Sequence, residues 1–490
     1  MYLGIDLGTS EVKTLLVDDA QAVVASHAVK LAISRPAPQH SEQHPDEWVQ
    51  ALDAALAALK AAAPKALAEV RAIAVSGQMH GAVLVDAERR VLRPAILWND
   101  TRSHAECAEL EAAVPESRAI GGNLMMPGFT APKLAWLRKH EPDVYARVAT
   151  VMLPKDYLVL HLTGQLATEM SDAAGTMWLD VARRDWSDTL LAATGLGRAQ
   201  MPPLHEGSQP VGTLRETLRS RWGIAHAAVV AAGAADNAAS GVGVGAVDAG
   251  QGFVSLGSSG VIFVANDRFA PNPAQAVHAF CHALPQRWLQ MTVTLSATTS
   301  LSWLTHNVLG RSSEAEVAQL AEGADIEHAP VFLPYLNGER TPHNDAAAQG
   351  MFFGLTTRTD AAALAYAVLE GVAFSLADGH AALEAAGTRL VEATLVGGGG
   401  RSRFWAGLVA AACGFALVRP KAGDLGGAFG AARLARLAAT GEPVADVCRP
   451  LAAADRIEPD AALAARLAPR LARYRRLYQQ NRAEFRRDAY

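Results

Sequence analysis

One short pattern occurs twice in this chain. Asp6-Leu7-Gly8-Thr9-Ser10-Glu11-Val12 returns in the second half as Ser255-Leu256-Gly257-Ser258-Ser259-Gly260-Val261, with four of seven positions identical. Apolar runs flank both copies, at residues 2–5 and 12–17 for the first and 252–254 and 261–264 for the second. Each copy therefore reads as strand, glycine turn, strand. Such a hairpin can hold phosphate, because its glycine lets the backbone approach, its N–H groups converge on an anion and its hydroxyls donate to phosphate oxygens. Turn chemistry alone also produces Gly-Thr-Ser or Gly-Ser-Ser, but a matched pair at two hairpins points to a duplicated chain that grips a nucleotide between similar halves.

A chain of 490 residues is too long for one core and suits two or three domains. Half of it is apolar, and the formal net charge is −5. That balance argues against a general nucleic-acid or anionic-membrane binder, so neither nucleic acid nor membrane is expected as a partner. No apolar stretch reaches spanning length without a charge, a proline or a glycine cluster, and the first residues read as a strand, not a signal peptide. A cytoplasmic protein is expected. Cys107, Cys281, Cys413 and Cys448 lie far apart with no C-x-x-C, which fits reduced, buried thiols. The sequence leaves a homodimer open.

Strand-like runs alternate with alanine-rich helical ones, the pattern of an α/β protein. Pro45-Asp46-Glu47 should open a helix with Val49, Leu52, Leu56 and Leu59 as its apolar stripe. Residues 70–75 and 227–233 read as buried strands. Gly241-Val242-Gly243-Val244-Gly245 lies just before the second hairpin and reads as a hinge or turn, which places two domains at 1–245 and 246–490. Near the C-terminus, Arg466, Arg470, Arg473, Arg475, Arg476, Arg482, Arg486 and Arg487 interleave with Leu463, Leu467, Leu471, Tyr474, Leu477 and Phe485. The spacing predicts a helix docked by its apolar stripe with a solvated basic face.

Several positions can carry chemistry. Asp6 lies in the first loop, where a carboxylate would repel phosphate unless a cation stood between them; its reading is a Mg²⁺ partner, against that of an aspartate that stabilises the turn. No G-x-x-x-x-G-K-[ST] is present. Asp236 follows a buried strand and precedes Asn237-Ala238-Ala239-Ser240, so it is either a helix cap or a catalytic carboxylate displayed at a strand end. If a hydroxyl attacks the terminal phosphate of ATP, a lone carboxylate there can take its proton. Gly77-Gln78-Met79-His80-Gly81 and Trp98-Asn99-Asp100-Thr101-Arg102 offer an aromatic face, an amide, an imidazole and a carboxylate, which suit a polyol or equally an ordinary polar loop. Leu395-Val396-Gly397-Gly398-Gly399-Gly400-Arg401-Ser402 reads as strand, glycine loop and helix start, open to the adenosine end of ATP. His278-x-x-Cys281-His282 lacks the spacing and the fourth ligand of a zinc site.

These residues resemble the FGGY family of carbohydrate kinases. The likeness runs along nearly the whole chain, through Gly4-Ile5-Asp6-Leu7-Gly8-Thr9-Ser10, Gly77-Gln78-Met79-His80-Gly81, Trp98-Asn99-Asp100, the run 123–136, Ser171-Asp172-Ala173-Ala174-Gly175-Thr176, Asp236-Asn237-Ala238-Ala239, Gly338-Glu339-Arg340-Thr341-Pro342-His343, and glycine-rich segments near 398 and 424. The resemblance implies an α/β fold of two actin-like (ribonuclease-H-like) domains flanking a catalytic cleft, with the sugar mainly on the first domain and ATP mainly on the second. It implies Mg²⁺-dependent phosphoryl transfer from ATP to a sugar hydroxyl, D-xylulose at its 5-hydroxyl being favoured and another ketopentose such as ribulose, or a pentitol, the alternative. By motif position Asp236 becomes the catalytic base; Met79, His80, Trp98 and Asn237 become sugar contacts; Gly8, Thr9, Gly257, Ser258, Gly398 and Gly399 become ATP contacts; Asp6 serves the metal. Glu339 and Arg340 are read as an ion pair bracing the cleft. Glu11, acidic where the family's loop has a small residue, should face solvent, and Ala234-Ala235 replaces the family's glycines before Asp236. A non-catalytic actin-like module would lack the base or carry an appended binding region, and neither is seen here.

Overall fold

The computed structural model describes residues 1–421 and 426–486. The glycine-rich segment near position 424 and Arg487 lie outside the described residues. In the first half, β1 (Tyr2–Leu7), β2 (Glu11–Val17) and β3 (Val23–Lys30) form an antiparallel meander, and α1 (Pro45–Ala62) leads to β4 (Ala72–Gly77), which pairs parallel with β1. After α2 (Pro154–Thr163) and α3 (Met170–Ala174) come β5 (Pro210–Thr213), β6 (Val229–Ala231), β7 (Ala234–Ala235) and α4 (Asp236–Val244). The sheet order is β5-β6-β4-β1-β2-β3, with β7 paired to the end of β4. Proline at the helix start and two acids in the first turn favour α1 where it begins. Its buried face is Trp48, Leu52, Leu56 and Leu59, with Val49 of the expected stripe only partly buried against the same core.

The second half repeats this plan. β8 (Gln251–Leu256), β9 (Gly260–Asn266), β10 (His278–Cys281) and β11 (Trp288–Thr294) are followed by α5 (Ala361–Ala385), β12 (Glu392–Val396), α6 (Arg403–Cys413), β13 (Ala416–Pro420), α7 (Gly426–Thr440), β14 (Ala453–Ile457) and α8 (Ala461–Asn481). Its sheet runs β10-β11-β9-β8-β12-β13-β14. The block β3-β2-β1-β4-β6 and the block β11-β9-β8-β12-β13 share one pattern, three antiparallel strands followed by two parallel ones. The two glycine loops sit at equivalent places in it, between β1 and β2 and between β8 and β9. α5 is long and apolar enough to cross a membrane, but 83% of its most apolar window is buried as the central helix of the second domain.

The segment 241–245 is not a turn or hinge. Gly241 and Gly243 lie inside α4, and only Gly245, at φ +82°, ends it. Glycine is a poor helix former, and here close packing offsets that cost. A Cβ on Gly430 of α7 would lie 1.7 Å from the Ala239 carbonyl oxygen of α4, and one on Gly241 would lie 2.6 Å from the Phe263 ring of the second sheet. α7 in turn lies on the first sheet, where a Cβ on Gly4 would meet the Ala428 oxygen at 1.8 Å. Each half thus lends a helix to the seam between the sheets. Gly430→Ala should lower the melting temperature, with a penalty of about 1–3 kcal/mol or more from overpacking against backbone; unchanged melting in calorimetry would refute this contact.

α8 buries Leu467, Tyr474, Leu477 and Tyr478. Its basic face is only partly solvated: Arg466, Arg470, Arg475 and Arg482 pair with Glu327, Glu370, Asp378 and Asp345. All four cysteines are buried free thiols.

Candidate active site

Asp236 occupies the first turn of α4, directly after β7, and Ala234-Ala235 run parallel to Ser76-Gly77. The left-handed bend needed before that turn is carried by Gly233, at φ +87°, where a Cβ would lie 2.0 Å from the Val75 oxygen. Alanines can therefore replace glycines at 234 and 235 without strain. Asp236 Oδ1 accepts hydrogen bonds from the Asn237 backbone N–H (2.6 Å) and side-chain amide (2.9 Å). Burial, and then the charge of Asp6, push its pKa up to about 7. Asp6 stands at the end of β1 and accepts from Ser76 Oγ at 2.5 Å.

Asp6, Asn237, Ser240 and Ser255 line one cavity of about 230 Å³ between the two sheets. A second carboxylate nearby, Asp236, whose proton affinity the Asp6 charge raises, beside hydroxyl and amide oxygens, suits a hard divalent cation that keeps several waters. No group of three or more His, Cys, Asp or Glu able to hold a metal occurs among the described residues. A Mg²⁺ here would therefore rest on Asp6 and on nucleotide phosphates.

His80 follows β4 in a left-handed conformation, φ +69°. Its carbonyl accepts from Lys133 Nζ (2.8 Å) and Thr130 Oγ1 (3.2 Å), and its Nδ1 lies 2.7 Å from the Gly175 carbonyl. Nδ1 must therefore carry the proton. Burial, and then the Lys133 charge, lower its pKa to about 3, so the ring is neutral and Nε2 is left as an acceptor for a hydroxyl. Met79 is buried beside it, and a Cβ at Gly175 would collide with both His80 and Met79. The second domain completes this wall. Phe129 packs edge-on to His80 at 4.7 Å, while Phe280 and His278 of β10 stack on each other and approach His80 and Phe129 at 6.2 and 5.9 Å. Asn123 of the first domain fastens β10 through the His278 ring (3.0 Å) and the Ala279 carbonyl (2.9 Å).

Trp98 packs its backbone against Gly128, beside Phe129. Its indole is 44% exposed and donates from Nε1 to Thr9 Oγ1 at 2.9 Å, with no ring contact to the His80 group. Thr9 in turn donates to Gln78, and Gln43 bonds the Thr9 carbonyl, so two buried glutamines hold the first loop. Gly8 closes the turn with its N–H on the Glu11 carbonyl at 3.0 Å. Glu11 points outward and pairs with Lys30 at 2.6 Å.

In the second domain the Gly257 and Ser258 carbonyls accept from the Thr298 and Ala297 N–H groups, at 2.9 and 2.8 Å. Ser258 lines a cavity of about 560 Å³ with Thr298, Thr299 and Asn337. Gly398 and Gly399 line a neighbouring one of about 510 Å³ with Thr298, Gln319, Arg401 and Trp405. Gly397, at φ +85°, passes so close to β8 that a Cβ would lie 2.7 Å from Leu256. Together these adjoining spaces have the size of a nucleotide site.

One group escaped the sequence reading. Lys155 on α2 is fully buried, with its Nζ 2.6 Å from Asp156, 3.6 Å from Glu169 and 3.9 Å from Asp172. Glu169 accepts from the Ser171 N–H and hydroxyl, both at 2.7 Å, and Ser171 Oγ accepts the Ala235 N–H at 3.0 Å. α3 thus braces the turn before Asp236 at one end and holds His80 through Gly175 at the other. A buried lysine among carboxylates was the available signal, but nothing in sequence spacing joins Lys155 to Ala235. Glu339 and Arg340, expected as an ion pair, are not within ion-pair distance of each other, although the Glu339 charge still acts on the guanidinium. Glu339 is buried and accepts from Thr294 Oγ1 (2.6 Å), Leu295 N–H (3.0 Å), Ser375 Oγ (2.9 Å) and the Arg340 N–H (2.8 Å), so its oxygens are already filled.

If Asp236 is the base, kcat/KM should fall tenfold per unit below about pH 7 and level off above it, since only the carboxylate can accept a proton. A flat profile between pH 5.5 and 8 would contradict the assignment.

The chain matches the FGGY family of carbohydrate kinases, N-terminal domain, over residues 1–243, and its C-terminal domain over residues 252–439. It is 52% identical over 482 residues to the xylulose kinase of Escherichia coli (strain K12), covering 98% of this chain and 99% of that protein. It is 50% identical over 484 residues to the xylulose kinase of Klebsiella pneumoniae, again covering 98% and 99%. The crystal structure of a xyloylose (xylulose) kinase from Brucella ovis superposes with a TM-score of 0.95 at 51% identity, covering 98% of this chain and 99% of that one. A glycerol kinase from Plasmodium falciparum shares the fold at TM-score 0.89 and 17% identity, covering 98% and 97%. The two repeated sheets are therefore the paired actin-like domains of this fold, and the chain belongs to the FGGY family of carbohydrate kinases.

Proposed function

We propose that this protein transfers the γ-phosphoryl group of ATP to the 5-hydroxyl of D-xylulose, giving D-xylulose 5-phosphate and ADP. The observation that carries the reading is Asp236, a half-buried carboxyl with a pKa near 7 set beside Asp6 in the cleft between the two glycine loops. The named relatives at 50–52% identity supply the sugar. The sugar enters with one hydroxyl at Asp236 and others on Asn237 and His80 Nε2, while Met79 and Phe129 form the apolar face beneath it. Asp236 accepts the proton of the 5-hydroxyl as its oxygen bonds to the γ-phosphorus and the bond from that phosphorus to the β-bridging oxygen breaks. Gly8 and Thr9 on one side, and Gly257 and Ser258 on the other, border the phosphates, with loop N–H groups and the Ser258 hydroxyl as donors, since the Gly8 N–H and the Thr9 hydroxyl are held within the first loop by Glu11 and Gln78. Gly398 and Gly399 border the space for adenosine. Asp6 would hold Mg²⁺, which neutralises phosphate charge when bound. Trp98 closes over Thr9 at the phosphate end of the sugar. The four buried thiols suit a reducing compartment such as the cytoplasm.

Phosphorus NMR of the product formed from D-xylulose and Mg·ATP tests the reading. A 5-phosphate is expected; a 1-phosphate would place the opposite end of the sugar at Asp236 and overturn it.

A further inference from the structure

Arg340 is left without a protein partner by the geometry around it. Its neighbours Glu339 and Thr341 both turn into the second domain: Glu339 onto Thr294, Leu295 and Ser375, and Thr341 through its hydroxyl onto the Ala276 carbonyl (2.9 Å) and the Val293 N–H (3.1 Å). The Arg340 side chain between them makes no such bond into the second domain; only its backbone N–H is used, on Glu339. Glu339 and Thr341 are 2% and 1% exposed, whereas Arg340 keeps partial access to solvent. Among the described residues its guanidinium has no hydrogen-bond acceptor and no carboxylate within ion-pair distance. Thr341, the next residue, bonds the Ala276 carbonyl two residues before His278, which places Arg340 on the His278 side of the sugar pocket, and its charge bears on both His278 and His80.

Five N–H donors in a fixed fork, withdrawn from water with only the charge of Glu339 nearby and no carboxylate in ion-pair contact, call for an electron-rich oxygen that accepts without needing to donate. The chemistry of the substrate supplies one. A 2-ketopentose closes its ring through the 5-hydroxyl, so a sugar that presents a free 5-hydroxyl to Asp236 must be in the open chain and must carry a free C2 carbonyl. With O5 at Asp236, that carbonyl and the C1 oxygen lie toward the His80–His278 end. We propose that Arg340 is a specificity-determining residue that donates to the C2 carbonyl of the open-chain ketose, and so makes the site prefer a 2-ketose to the pentitol of the same carbon skeleton. This rests on the functional reading above.

The test measures kcat and KM for D-xylulose, the inhibition constant of xylitol against D-xylulose, and KM for ATP, in wild type, Arg340→Met and Arg340→Lys. Because KM and inhibition constant come from one preparation, their ratio does not depend on the folded fraction. The loss of a charged hydrogen bond should raise KM for D-xylulose about 10- to 100-fold, leave the xylitol constant and ATP KM within about threefold of wild type, and change kcat little. Lysine should restore part of the preference. A ratio of KM to inhibition constant unchanged in Arg340→Met overturns the proposal, as does a change confined to ATP KM, which would assign the guanidinium to phosphate. Wild-type enzyme that turns over no ketopentose overturns the functional reading itself.

Discussion

Replacing Asp236 by Asn should lower turnover of D-xylulose by about 10² to 10⁴, the range expected when a positioned general base is removed, while the sugar still binds. Asparagine keeps the shape and the bond to the Asn237 side of the turn but cannot take a proton. The same substitution has a second, opposite readout. The Asp236 pKa is raised from 3.8 to about 7 in the folded protein, so the native state holds this proton more tightly than the unfolded chain does. The stability contributed by that tighter hold is present at low pH and is lost as pH rises through about 7. Above that pH, the nucleotide-free Asn variant should therefore melt higher than wild type. A gain in stability together with a loss of activity marks a residue kept for chemistry at the expense of the fold. Near-wild-type turnover would remove Asp236 as the base.

Lys155→Met should be the most destabilising single change described here, by about 3–5 kcal/mol, because it strips the one cation from a buried cluster of carboxylates. Burial opposes the lysine charge, yet Asp156, Glu169 and Asp172 together raise its proton affinity above that of an ordinary lysine. Both Asp172 oxygens are buried without a hydrogen-bond partner, and burial pushes its pKa up against the pull of Lys155. Asp156 caps the start of α2 through the Leu153 N–H, and Glu169 organises α3. The loss should therefore reach both His80 and the turn before Asp236. Denaturant titration checks the magnitude, and the double variant Lys155→Met with Asp156→Asn should recover part of it. A Met variant as stable as wild type would mean that packing, not charge, holds the cluster.

How far these results were legible from sequence differs by kind of feature. The duplicated hairpin was readable because a phosphate loop is local: glycine, hydroxyls and two flanking strands lie within a dozen residues. The repeated sheets follow from it, since both copies sit at the same point of the same strand order. The glycines at 241 and 243 misled, because sequence shows their flexibility but not the Phe263 ring and the α7 backbone that press against them. Glu339 and Arg340 were adjacent and oppositely charged, yet sequence could not show the four donors that already fill the Glu339 carboxylate. Trp98 was placed with His80 by motif position, and sequence could not show that its indole N–H reaches Thr9 of the first glycine loop. The walls contributed by His278 and Phe280 come from the other domain and carry no local signature at all.

The most direct measurement is coupled ADP release with Mg·ATP against D-xylulose, D-ribulose, L-ribulose, L-xylulose, glycerol and pentitols, with a no-sugar blank. A site built to hydrogen-bond each hydroxyl of one stereoisomer can separate epimers by up to roughly 10⁴, so D-xylulose should stand well clear of the rest and the blank should be near zero. ADP release as fast without sugar as with it, or selective for a sugar other than D-xylulose, would contradict the account.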